Sequence, residues 1–219
     1  MTSQDVLVII LIIVSLAVVF AIRYILAQSQ KDKFVNNFQK LAQAFQFDYI
    51  PPRRFYSNLK KGEVKGYPSV DGMLLERHVR VHIKCIDHSN EIPKYTCISM
   101  ACANLSYTIF LSNEVFFDQL NKAFGSQDIQ TGDKDFDKKF IIKGNNEQLI
   151  KKLFDTATKQ LLIKYRSSLD WKLTIYKNEI YYEEKYIMDH DENYKRTIEL
   201  IKMIEKIAQR AEEVQRIYA

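Results

Sequence analysis

LDWKLTIYKNEIYYEE, residues 169–184, is two alternating runs joined by a short break. Leu169, Trp171, Leu173 and Ile175 alternate with Asp170, Lys172, Thr174 and Tyr176. Lys177-Asn178 interrupts the pattern, and Ile180, Tyr182 and Glu184 resume it. A period of two with one apolar side is the mark of a half-buried strand, and a two-residue break between two such runs makes a hairpin. The Trp171 face is the buried one. A lone hairpin is at best marginally stable in water, so further strands or helices must cover that face.

Downstream, Asp189 or Asp191 can cap a helix in which Tyr194, Ile198, Ile201, Ile204, Ala208, Ala211 and Val214 form an apolar stripe among charges. At about 1.5 Å per residue this helix is roughly 40 Å long, more than a small sheet needs for cover. Either it packs along the sheet throughout, or its end projects and Ile204, Ala208, Ala211 and Val214 meet a partner protein.

Upstream, residues 147–165 carry Leu149, Ile150, Leu153, Phe154, Leu161, Leu162 and Tyr165 at helical spacing, with a possible break at 156–158. Before it stands DIQTGDKDFDKKFIIK, residues 128–143. Asp133, Asp135 and Asp137 alternate like the first ligands of a calcium loop, but position six would be Lys138 and position twelve Gly144. Without the turn glycine and the bidentate glutamate, a turn at Gly132-Asp133 is the better reading, with Phe136 and Phe140 inward and a short strand over 140–143.

Asp128-Ile129, Thr131-Gly132-Asp133, Phe136-Asp137, Phe140 and Lys143-Gly144-Asn145, followed by a helix, a Trp-bearing hairpin and a long last helix, resemble a group of uncharacterised bacterial single-pass membrane-anchored proteins. The resemblance spans residues 95–219 and implies no activity, ligand or site residue.

Residues 113–125 open with Ser112-Asn113-Glu114 and read as an amphipathic helix closed by Gly125. Residues 95–112 read as a strand pair or one long bent strand. Between 76 and 85, Arg77, Val79, Val81, Ile83 and Cys85 share one face, and Glu76, His78, Arg80, His82 and Lys84 the other. Histidines four apart in a strand lie roughly 13 Å from each other, too far to share an ion, so His78 and His82 read as solvated. The face of His78, Arg80, His82 and Lys84 is nonetheless a candidate for an anionic lipid or small ligand.

Nearer the start, Phe34, Phe38, Leu41, Ala42 and Phe45 mark an amphipathic helix over 28–46, ended by Pro51-Pro52. Residues 6–22, VLVIILIIVSLAVVFAI, carry no charge and cover about 26 Å as a helix, which Tyr24 to Ala27 extend toward the roughly 30 Å of a bilayer core. Asp5 is the sole charge before the run, unlike a cleavable signal, while Arg23, Lys31, Lys33 and Lys40 follow it and favour a cytoplasmic C-terminal side.

Residues 28–96 hold 12 Lys and Arg against 7 Asp and Glu, whereas 97–219 hold 19 of each. Arg53-Arg54 and Lys60-Lys61 are pairs only, short of the basic clusters that mark lipid headgroup sites, and no nucleic-acid motif accompanies them. Cys85, Cys97 and Cys102 read as reduced thiols. No phosphate loop, elbow serine or paired cysteines appear, so no catalytic, cofactor or metal residues are expected, although His88, His190 and the three aspartates could meet in space. The expected organisation is a membrane anchor (1–27), a juxtamembrane helix (28–50), an α+β domain of antiparallel sheet and helices (51–188) and a C-terminal helix (189–219), on the cytoplasmic side of a bacterial inner membrane. The expected role is an interaction or accessory protein with a protein partner and the bilayer itself, and neither nucleic acid nor cofactor.

Overall fold

The computed structural model describes residues 3–52, 67–85, 93–113, 128–167 and 169–218, with side chains of the first helix from Ile12 onward except at 27, 30 and 31. The architecture is α+β. Helix α1 (Ser3–Phe45) leads to strands β1 (Asp48–Ile50), β2 (Ser69–Leu74), β3 (Arg77–Cys85), β4 (Lys94–Ala101) and β5 (Ile109–Ser112). A one-turn helix α2 (Lys134–Asp137), β6 (Ile141–Gly144), α3 (Glu147–Leu153), α4 (Thr156–Lys164), the hairpin β7 (Trp171–Tyr176) and β8 (Glu179–Glu184), and α5 (Asp191–Tyr218) complete it. The eight strands form one antiparallel sheet in the order β1-β2-β3-β4-β8-β7-β5-β6.

The 169–184 hairpin lies inside the sheet and separates β4 from β5. Residues 95–112 are therefore two strands that do not pair with each other. The connection crosses the tip of the hairpin, where the Cys102 and Leu105 amides donate to the carbonyls of Asn178 and Lys177. Lys177 holds φ at 54°, the left-handed geometry that a tight hairpin turn requires.

Alternation sorts the sheet into two faces. Val79, Val81, Ile98, Met100, Ile109, Leu111, Leu173, Ile175 and Ile180 line the inner face, all buried, and α1 and α5 pack there. Phe34, Phe38, Leu41 and Ala42 of α1 are buried as the spacing requires. Phe47 lies against Gly72 of β2, where a Cβ would collide with its ring. Asn37, the polar residue in this apolar face, donates to the Met188 carbonyl at 2.9 Å and so registers α1 against the start of α5.

On α5, Ile204, Ala208, Ala211 and Val214 are fully buried. This corrects the expectation that they meet a partner: the helix uses the stripe within its own domain almost to its end. Polar contacts fasten that end. The Arg77 guanidinium forms a bidentate pair with Glu212, one bond being 2.7 Å, the Ala103 amide donates to Glu212 at 2.8 Å, and the Tyr107 hydroxyl donates to the Ala211 carbonyl at 2.8 Å.

The 128–143 segment forms the expected turn, with Gly132 at φ 86° and Phe136 and Phe140 buried. Asp133 caps α2 by accepting from the Asp135 and Phe136 amides, and Asp137 accepts from the Thr131 amide and hydroxyl and the Gly132 amide. The break between α3 and α4 falls at Phe154 and Asp155, just before the expected 156–158, which form the first turn of α4 under the Asp155 cap. Of the helix expected over 113–125, residues 114–125 lie outside the described residues, as do the two basic pairs and His88. Among the described residues no helix is long and apolar enough to cross a membrane, so the anchor expected over 1–27 finds no support there.

Candidate functional site

The outer face of the sheet bears the polar half of the same alternation. Register brings Arg80, His82 and Lys84 of β3 beside Ser99, Cys97 and Tyr95 of β4. It then sets Cys97 beside Glu183 of β8, and Glu183 beside Lys172 of β7. An open groove of about 480 Å³ lies here, with Lys84 and Lys172 at one end and Tyr176 and Glu179 at the other, and Phe110, Thr174 and Tyr181 along it.

The centre of its charged end is Glu183, whose side chain is fully buried. Lys84 Nζ lies 2.9 Å from Oε2 and Lys172 Nζ lies 2.9 Å from Oε1. Burial opposes ionisation of this carboxyl, but Lys172 and Lys84 outweigh it and hold its pKa below the ordinary 4.5. The sign follows: a carboxyl depressed in the folded state contributes stability that is complete above about pH 4.5 and is lost as pH falls through the folded value. Thermal midpoints measured from pH 7 to pH 3 should show the wild-type advantage over Glu183→Gln shrinking only below about pH 4.5. An advantage constant over that range would refute the ion cluster.

Cys97 and Tyr181 on this face stay protonated at neutral pH. Burial pushes the Cys97 thiol up to about 12, and Cys102, elsewhere in the fold, to about 11. Neither is a thiolate nucleophile. Burial also raises the Tyr181 hydroxyl well above its ordinary value.

The four residues singled out from sequence do share this face, but engaged with other side chains. His78 lies 2.5 Å from Asp71, at the β2–β3 end. The His82 ring is tilted against Tyr181 with centroids 6.3 Å apart. By backbone register Arg80 stands between Asp71 and Ser99, and the Lys84 ammonium binds Glu183. Only Lys84 lines the groove. Lys172 was visible as a polar alternate of the hairpin, whereas Tyr181 and Glu183 were not singled out; that all three neighbour β3's outward side chains depends on strand order, which the sequence does not state.

No family model matches the chain, and no characterised protein matches it by sequence. Among solved structures, the eight-stranded sheet with its long last helix has a counterpart. The chain is similar in fold to TtfA, the mycobacterial trehalose monomycolate transport factor A. The likeness covers 81% of this chain and 95% of that one, with a TM-score of 0.52 and 9% sequence identity. At that identity the likeness is one of fold, and no TtfA residue is carried over to the groove.

Proposed function

We propose that this chain is a membrane-anchored accessory factor of a transport machinery, its α+β domain held at the cytoplasmic face of a bacterial inner membrane by the first part of α1. One observation carries the reading. From Ile12 to Leu26, eleven large apolar side chains of α1 are each 50–73% exposed, on all sides of the helix. A helix apolar all round has no stable place in water, and this one becomes one-sided only from Phe34, where the sheet begins. The uncharged run also extends back to Val6. Arg23 and Tyr24 stand where a bilayer interface would place them, and the basic residues that follow favour the cytoplasmic side. The transport and accessory elements of the reading draw on the fold shared with a transport factor.

The expected result is that full-length protein stays in the membrane fraction through alkaline carbonate extraction, while Ile13→Lys combined with Val18→Asp releases it, since each central charge costs about 2.5–3.5 kcal/mol on insertion. Release of the wild type by carbonate would refute the anchor. The accessory role is tested by purification from gently solubilised native membranes beside residues 1–29 fused to an unrelated domain. A transport protein retained near stoichiometry by the full chain and absent from the fusion is expected; its absence counts against the role.

A further inference from the structure

We infer that the outer-face groove binds an amphiphile with one anionic group, the anion at the Lys84 end and the apolar body along Phe110 and Tyr176. The inference does not rest on the membrane reading, because the groove is built within β3, β5, β7 and β8.

Three features carry it. The first is a prepositioned cation. Lys84 lines the groove and gives one of its ammonium's three N–H donors to Glu183 at 2.9 Å. Glu183 is a fixed hub, fully buried, so a long flexible side chain is already ordered before any ligand arrives. The second is polarity along the groove. At the Lys84 end β3 also presents His82, level with Glu183 across β4, and that groove carboxylate is shared by Lys84 and Lys172. At the other end stands Glu179, which would repel an anion, so the groove favours one direction. The third is the surface between them. Phe110, Thr174 and Tyr176 offer aromatic and methyl surface along the stretch from Lys172 to Tyr176, a span of roughly 13 Å in a strand. The groove is open to solvent and offers about 480 Å³ of space.

The experiment is calorimetric titration of full-length protein in nanodiscs of zwitterionic lipid with hexyl phosphate, against empty nanodiscs. Inorganic phosphate and hexyltrimethylammonium are the comparison probes. Saturable one-site binding of hexyl phosphate is expected, at least tenfold tighter than inorganic phosphate, with no binding of the cation. Thr174→Trp, which fills the groove and leaves every charge in place, should weaken hexyl phosphate at least tenfold. Lys84→Gln, which leaves Glu183 paired with Lys172, should do the same and carries the test if the tryptophan variant fails to fold. Absence of binding above empty nanodiscs overturns the inference. So does equal affinity for inorganic phosphate, equal affinity for the cation, or undiminished binding by a folded variant.

Discussion

Arg196→Met is expected to destabilise the domain by about 3–5 kcal/mol, a large part of the 5–15 kcal/mol that holds an ordinary domain together. Glu184 ends β8 with its side chain fully buried on the inner face. Its carboxylate accepts from Arg196 Nε at 2.8 and 3.1 Å and from the Tyr182 hydroxyl at 3.0 Å, while Arg196 Nη2 donates to the Tyr165 carbonyl at 3.1 Å. The group thus ties β8, the start of α5 and the end of α4. Removing the guanidinium strands a charge in the core, and that desolvation is the source of the loss. Arg196→Met combined with Glu184→Met removes both charges and should recover most of it, because a buried pair replaced by apolar side chains is often neutral in stability. Urea unfolding reports all three proteins through Trp171, the chain's one tryptophan, which stacks on Tyr182 with centroids 5.9 Å apart. A single-variant loss under about 1 kcal/mol, the level of an exposed ion pair, would refute the argument.

Phe38→Ala should cost a comparable 3–5 kcal/mol by a different route. Phe38 is fully buried, edge-on to Phe34 at 5.2 Å, and Phe34 in turn meets Tyr67 at 5.6 Å. These rings fasten α1 to the beginning of β2, and truncation leaves a cavity that rigid helix and sheet cannot close. Phe45→Ala, at a partly buried ring stacked on Phe47, should cost less than half as much. Equal losses in urea titrations of the two detergent-solubilised variants would show that the Phe34–Phe38 contact is not the principal fastening.

The sequence disclosed those parts of the fold where one face differs chemically from the other. β3, β7 and β8 were legible because every second residue is apolar, and α1 beyond Phe34 and α5 because their stripes keep a helical period. β1 was not, since Asp48-Tyr49-Ile50 is too short to show alternation and is a strand only because β2 lies beside it. Strand order was hidden for the same reason: nothing local in residues 95–112 reveals that a hairpin sixty residues later inserts between them. The stripe on α5 announced burial but not its partner. Arg77, Tyr107 and Ala103, which hold the last turns, are scattered along the chain and meet Glu212 and Ala211 only after folding. In the groove, Lys84 was legible as an outward residue, but its bond to Glu183 joins positions ninety-nine apart.

α1 passes from its exposed apolar part to its sheet-bound part without a break in helical backbone. Leu26 and Phe34 are eight residues apart, roughly 12 Å along the axis, with no glycine, no proline and no loop between them. The domain therefore rides on a stem rather than a tether, and its compass bearing is part of its structure. One residue added to that stretch would lift the sheet by only about 1.5 Å yet swing it about 100° around the stem, so that the groove faced a different neighbour. Under the proposed membrane anchoring, the number of residues in those two turns of helix is as much a determinant of which way the groove faces as any side chain on the surface.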